Sequence, residues 1–243
     1  MTAIPARSAA RSAEWLPLVA TFALVAFYYL MRADAVGVFS PTRGWYALTG
    51  RPLSPWLHYV GSGLVLGVVP VLFARRLTGL TLTQLGLGLG RWQLGLRWLA
   101  IGVPLAIIAG KIGAAAPAVR AVYPLDPSLV AAPARFIPYA LLTFLYFGAW
   151  ETLFRGVLLF GLRGRMGSNA ANAVQTAVSV TAHFGRALNE TFAALPAGLV
   201  FGWVTGRIGS IWYVAVIHWV VAVSLDWFIL AGSAVGVAPM GGP

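Results

Sequence analysis

The chain has 243 residues, 59% of them hydrophobic and 9% charged, with mean hydropathy +0.81 and no cysteine. Soluble domains carry roughly a quarter of their residues charged, so this composition belongs to a bilayer and excludes a large extramembrane domain. The formal charge of +11 does not point to nucleic acid, because the bases stand in ones and twos between apolar stretches; lack of cysteine excludes disulfides, thiolate nucleophiles and Cys-ligated metal.

At about 20 apolar residues per crossing, the pattern predicts an all-α, multi-pass membrane helix bundle of about seven transmembrane spans. The first covers 15–31 and runs into Arg32 with no small-residue cleavage site, so it reads as a span and not a signal peptide. Residues 32–55, with Asp34, Arg43 and Arg51, form a polar connection to the second span, 56–74, which Arg75 and Arg76 close. Residues 78–98 alternate leucine with Gly, Thr and Arg, a pattern too polar to span and suited to the interface. Gly86, Gly88 and Gly90 fail the dinucleotide spacing and follow no strand.

The third span, 98–116, carries Lys111; a proline-rich loop follows over 117–133. Residues 136–162 stay apolar apart from Glu151, Arg155 and small residues, and leave through Arg163 and Arg165. A shorter span over 169–184 ends at His183, a polar turn holds Asn189 and Glu190, and spans 193–208 and 211–230 follow, the last with His218 and Asp226. We divide this single integral membrane domain into N-terminal helices, 1–79, and a core, 80–243.

With the N-terminus in the cytoplasm, Arg7, Arg11, Arg75, Arg76, Arg91, Arg97, Arg163, Arg165 and Arg207 fall inside, nine bases against six outside: Arg32, Arg43, Arg51, Arg120, Arg135 and Arg186. That bias predicts a cytoplasmic N-terminus, and the expected compartment is the bacterial inner membrane.

The informative acids are those a bilayer should exclude. A charge at mid-membrane costs at least about 2.5 kcal/mol and normally faces a bundle interior and a partner. Glu151 and Arg155, four apart, lie within about 40° of each other on one helix face and form a natural pair. His183 and His218 taken singly read as core histidines; grouped with Glu151 and Arg155 they suggest a carboxylate and imidazoles sharing a low-dielectric cavity for general base work.

The run from Trp150 through Glu151 and Arg155 to Gly156, followed by His183, the glycine-rich span 195–207, the Gly209-Ser210-Ile211-Trp212 turn and His218, resembles the CPBP family of CAAX proteases and bacteriocin-processing or immunity membrane proteins. The lead-in over 85–92 is also similar, and the resemblance covers about residues 80–226. It implies a glutamic-type intramembrane protease whose first motif is Glu-Glu-x-x-x-Arg then Gly. Glu151, Arg155 and Gly156 match that motif, His183 the second-motif histidine and His218 the late histidine. Trp150 stands where the first Glu is expected, Ser179 replaces a Phe, and Ala222 stands where Asn or Asp would follow His218 by four. Asp226 is a possible supporting partner for His218.

The expected mechanism is water attack on a peptide carbonyl, with Glu151 as base alongside His183, although Glu151 sits about 100° around the helix from position 150. His218 would donate to the oxyanion and Arg155 would orient Glu151. No cofactor is expected. The partners are a protein or peptide substrate presented in the bilayer and the lipid itself, with no nucleic acid; the oligomeric state stays open. Two alternatives remain: a non-catalytic immunity protein or partner-binding scaffold, and a zinc-dependent membrane protease ligating metal through Glu151, His183 and His218. His58 reads as interfacial, Lys111 as snorkelling, and Glu190 as water-facing or gating. The geometric expectation is that Glu151, His183 and His218 converge on one wet cavity with Trp150 directed elsewhere.

Overall fold

A computed structural model describes residues 12–31, 54–184 and 186–234, and every regular element among them is helical. Helix α1 covers 13–31, opening as a 3-10 turn and ending in a π turn, Phe27–Met31. Helix α2 covers 55–78; the Ser54 hydroxyl accepts the Leu57 N–H, Pro55 occupies the first turn, and Gly79 at φ 72 ends it. Helix α3 is Trp92–Ala114. Helix α4 begins at Phe136, changes to π geometry over Thr152–Phe160 and runs on until Gly167, at φ 80 and ψ 161, breaks it; α5 then covers 168–181. Helices α6, Leu188–Ile208, and α7, Trp212–Ala234, complete the bundle.

The protein is an integral membrane helix bundle. Among the described residues five helices, α1, α2, α3, α6 and α7, are long and apolar enough to cross a membrane. Helix α4 completes its length only with the buried pair Glu151 and Arg155, and α5 is about 21 Å long, so each leans on its neighbours for burial.

Helix α3 begins six residues before the expected start at 98. Its first turns tolerate Arg97 because that residue is exposed and its long stem reaches outward; Arg97 therefore belongs to a helix and not to a connecting loop. Arg7, Arg11, Arg32, Asp34, Arg43 and Arg51 lie outside the described residues. The segment before α3 is a packed strap. Leu85 is buried, the Ile211 N–H donates to the Gly86 carbonyl at 3.0 Å, and the Trp212 indole N–H donates to the Leu87 carbonyl at 2.9 Å. Gly86 adopts φ 78 where a Cβ would strike the Phe160 ring, so only glycine fits.

Helices α3 and α7 run side by side in the same direction. Gly95 lies against Tyr213, Gly102 against Ile217, and Gly110 against Ser224 and Leu225. Without side chains in the seam, α7 approaches closely, the usual device where lipid supplies no hydrophobic drive to pack. Helix α5 uses the same device against α6, where Gly198 meets Thr176 and Gly202 meets Asn172 and Gln175. Helix α4 is central: every residue of its π segment is buried, the all-round burial expected of a helix at the middle of a bundle.

Candidate active site

One cavity of about 260 Å³ opens in the half of the bundle formed by the end of α1, the starts of α2, α4 and α6, the end of α5 and the middle of α7. The opposite face carries the Glu14–Arg165 pair at 2.5 Å, which ties the start of α1 to the end of α4.

Glu151 ends the α-helical part of α4 and is 0% exposed. Its Oε1 accepts Arg155 Nη1 at 3.2 Å and lies 2.8 Å from His218 Nδ1; Oε2 stands 3.2 Å from Arg155 Nη1 without hydrogen-bond angles. The carboxylate thus bridges two helices. It reaches α7 because His218, on the second turn of that helix, is wedged between Phe147 and Phe201, with ring centroids at 4.7 and 5.8 Å.

His218 lines the cavity and its side chain is 24% exposed, whereas Glu151 is not among the lining residues. His183 follows the last turn of α5. Its Nδ1 lies 2.7 Å from the Ser179 carbonyl, Thr191 donates to the His183 carbonyl at 3.1 Å, and the imidazole also lines the cavity. The structure therefore brings both imidazoles to one cavity, with the carboxylate set behind His218. Glu151 takes His218, and not His183, as its imidazole partner, because the α4–α7 contact carries His218 onto the Glu151 face while the α5 end holds His183 to its own backbone.

Both histidines have a defined tautomer. A carbonyl oxygen only accepts, so His183 Nδ1 carries the proton; the Glu151 carboxylate accepts from Arg155 and leaves His218 Nδ1 as donor in turn. In its neutral form each ring then has a bare Nε2.

Trp150 departs from expectation. It is not directed elsewhere but lines the cavity, edge-on to His183 at 5.4 Å between centroids, with its indole Nε1 buried and without a hydrogen-bond partner. Arg155 also lines the cavity and keeps its Nε without an acceptor. Position 150 is one residue from Glu151, so the roughly 100° step around the helix that takes Glu151 toward α7 turns Trp150 toward the cavity.

Asp226 is not a partner of His218 here. Its Oδ2 accepts the Tyr139 hydroxyl at 2.9 Å, and Tyr59 donates to Tyr139 at 3.1 Å. His58 is buried beside Phe27 and Tyr146 and lines the cavity, so its side chain faces the bundle interior. The one signal that could have found it is a histidine in the first turn of a helix, between Trp56 and Tyr59. Lys111 lies over the Phe228 ring at 5.9 Å.

At the rim, Arg186 donates to the Tyr123 hydroxyl at 3.0 Å and Tyr123 lies 3.4 Å from Glu190 Oε2. Burial pushes the Tyr123 phenol above its ordinary range, with Arg186 pulling the other way, so it stays a neutral donor. Glu190 belongs to the cavity lining.

Among the described residues no group of three or more His, Asp or Glu side chains is gathered to hold a metal ion. Glu151, His183 and His218 are therefore not gathered as one ligand set.

No curated protein and no solved structure matches this chain. Over residues 133–224, which hold Trp150, Glu151, Arg155, His183 and His218, the chain matches the family model described as Type II CAAX prenyl endopeptidase Rce1-like, the group its motifs resemble.

Proposed function

We propose that this protein is an intramembrane endopeptidase that hydrolyses a peptide bond near the C-terminus or in a membrane-proximal segment of a substrate presented in the bilayer. The observation that carries the reading is the Glu151–His218 pair, a fully buried carboxylate holding by Nδ1 an imidazole that reaches the cavity.

The neutral tautomers favour a different division of roles from the expected one. Because His218 Nε2 is bare, it accepts a proton instead of donating to an oxyanion, and Glu151 is the positioning residue that orients the ring and stabilises its charged form. Water adds to the carbonyl carbon as its proton passes to His218; the C–N bond then breaks and the proton goes to the leaving amine. His183, with its own bare Nε2, holds the attacking water from the other wall. The orphan N–H groups of Trp150 and Arg155 are buried donors in need of an acceptor, and the developing oxyanion supplies one.

A lipid-embedded protein in the bacterial inner membrane, with its N-terminus in the cytoplasm, fits the arginine distribution. The competing reading is a non-catalytic immunity or scaffold protein, favoured by the closed Glu151–Arg155 pair and by Trp150 at the first-Glu position.

The test is cleavage of a panel of lipidated and membrane-anchored peptides by purified protein in vesicles, read by mass spectrometry. Wild type yields defined products, while Glu151→Gln and His218→Ala do not. Cleavage retained in both variants removes the proposed site, and no cleavage of any peptide favours the scaffold.

A further inference from the structure

Asp226 sits eight residues beyond His218 on α7, about 12 Å farther along the helix axis. It shares the cavity with His218, Tyr59 and Tyr139. One of its oxygens is held by Tyr139, itself held by Tyr59. The other, Oδ1, has no hydrogen-bond partner although the residue is only 4% exposed.

A buried carboxylate oxygen to which no protein group donates is costly unless something in the cavity donates to it. In its ionised form the carboxylate only accepts, so the partner that would stabilise that form is a donor. The Asp χ2 torsion is broad and two-fold, which lets Oδ1 swing toward the cavity without a rotamer change. The surrounding wall is aromatic, including Tyr59, Tyr123 and Tyr139, and ring faces attract cations. An acid inside an aromatic wall selects a positive group over an apolar one.

We propose that Asp226, held by Tyr139 and Tyr59, is a recognition subsite for a cationic side chain, lysine or arginine, three to four residues from the scissile bond. The register rests on the endopeptidase reading: an extended peptide advances about 3.3 Å per residue, so a carbonyl at His218 leaves its third or fourth neighbour at Asp226. The cation preference does not rest on it.

The experiment separates the two. Acetylated, amidated apolar hexapeptides carrying one Lys, norleucine or Glu are titrated into the full chain in neutral detergent, with tryptophan fluorescence as readout. The chain carries a net charge of +11, so non-specific attraction favours the Glu peptide and cannot imitate the expected result. The Lys peptide binds about tenfold tighter than the norleucine peptide, Asp226→Asn abolishes the difference, and Glu151→Gln keeps it. Equal binding of Lys and norleucine peptides to wild type, or preference for Glu, overturns the subsite, and this comparison requires no variant to fold. A Lys preference without cleavage of any peptide sinks the hydrolase and leaves the subsite standing; cleavage without the preference does the reverse.

Discussion

Glu151 and His218, 67 residues apart in the chain, meet with 2.8 Å between Oε1 and Nδ1. Two groups that act as one base lose their function together. Glu151→Gln and His218→Ala are each expected to lower kcat/KM by about 100-fold or more. The double variant is expected to be no worse than the poorer single one, because the second change removes something already lost. The check is a four-protein cycle of kcat/KM on one substrate, and additive losses would separate the two residues mechanistically.

The same carboxylate also stabilises Arg155, which is 2% exposed. Glu151→Leu leaves that guanidinium buried without its counter-charge and is expected to cost about 3 kcal/mol or more. Glu151→Leu with Arg155→Leu removes both charges and is expected to recover most of the thermal stability while remaining inactive. Melting of the three proteins in one detergent decides this. A double variant as unstable as the single one would mean that the pair does more than neutralise itself.

Trp150 carries a buried indole N–H to which no protein acceptor is paired. Trp150→Phe keeps a ring against Tyr146, Phe154 and His183, which surround the indole, and deletes only the donor and some volume. Loss of one oxyanion donor costs about 100-fold in kcat, with KM nearly unchanged. A fall in KM-linked binding with kcat intact would assign Trp150 to substrate packing.

What was legible in the sequence follows from energetic cost. Glu151, Arg155 and the two histidines stand out because a bilayer penalises them, and the apolar runs stand out because crossing requires length. The Glu151–His218 partnership was not legible, since it depends on how α7 slides along α4, a register written in the Gly95, Gly102 and Gly110 seam against α7 and not in any local pattern. Trp150 reads as a lost acid in one dimension, but its donor atom acquires meaning only beside the cavity. Asp226 and His58 look like helix-end residues until Tyr139 and the aromatic cluster around Phe27 enclose them. The strap over 79–91 looks interfacial because its polarity is that of a loop, yet its carbonyls are spent on Ile211 and Trp212.

The cavity's sidedness follows from helix alternation and can be measured directly. The ends of α2, α4 and α6 share a face with the start of α1, and among the described residues that face holds Arg75, Arg76, Arg163, Arg165 and Arg207. The other face holds Arg120, Arg135 and Arg186, together with the rim residues Tyr123 and Glu190. If the arginine-rich face is cytoplasmic, the cavity opens on the far side and a substrate segment enters from there. The chain has no cysteine, so single cysteines report position without background. Gly164→Cys lies in open space on the arginine-rich face, and Ala131→Cys is exposed on the rim face. With a membrane-impermeant maleimide on intact cells permeable only at the outer envelope, Ala131→Cys is expected to label at once and Gly164→Cys only after lysis. The reverse pattern turns the protein over and points the cavity into the cytoplasm, where the substrate's membrane-proximal tail would then have to lie.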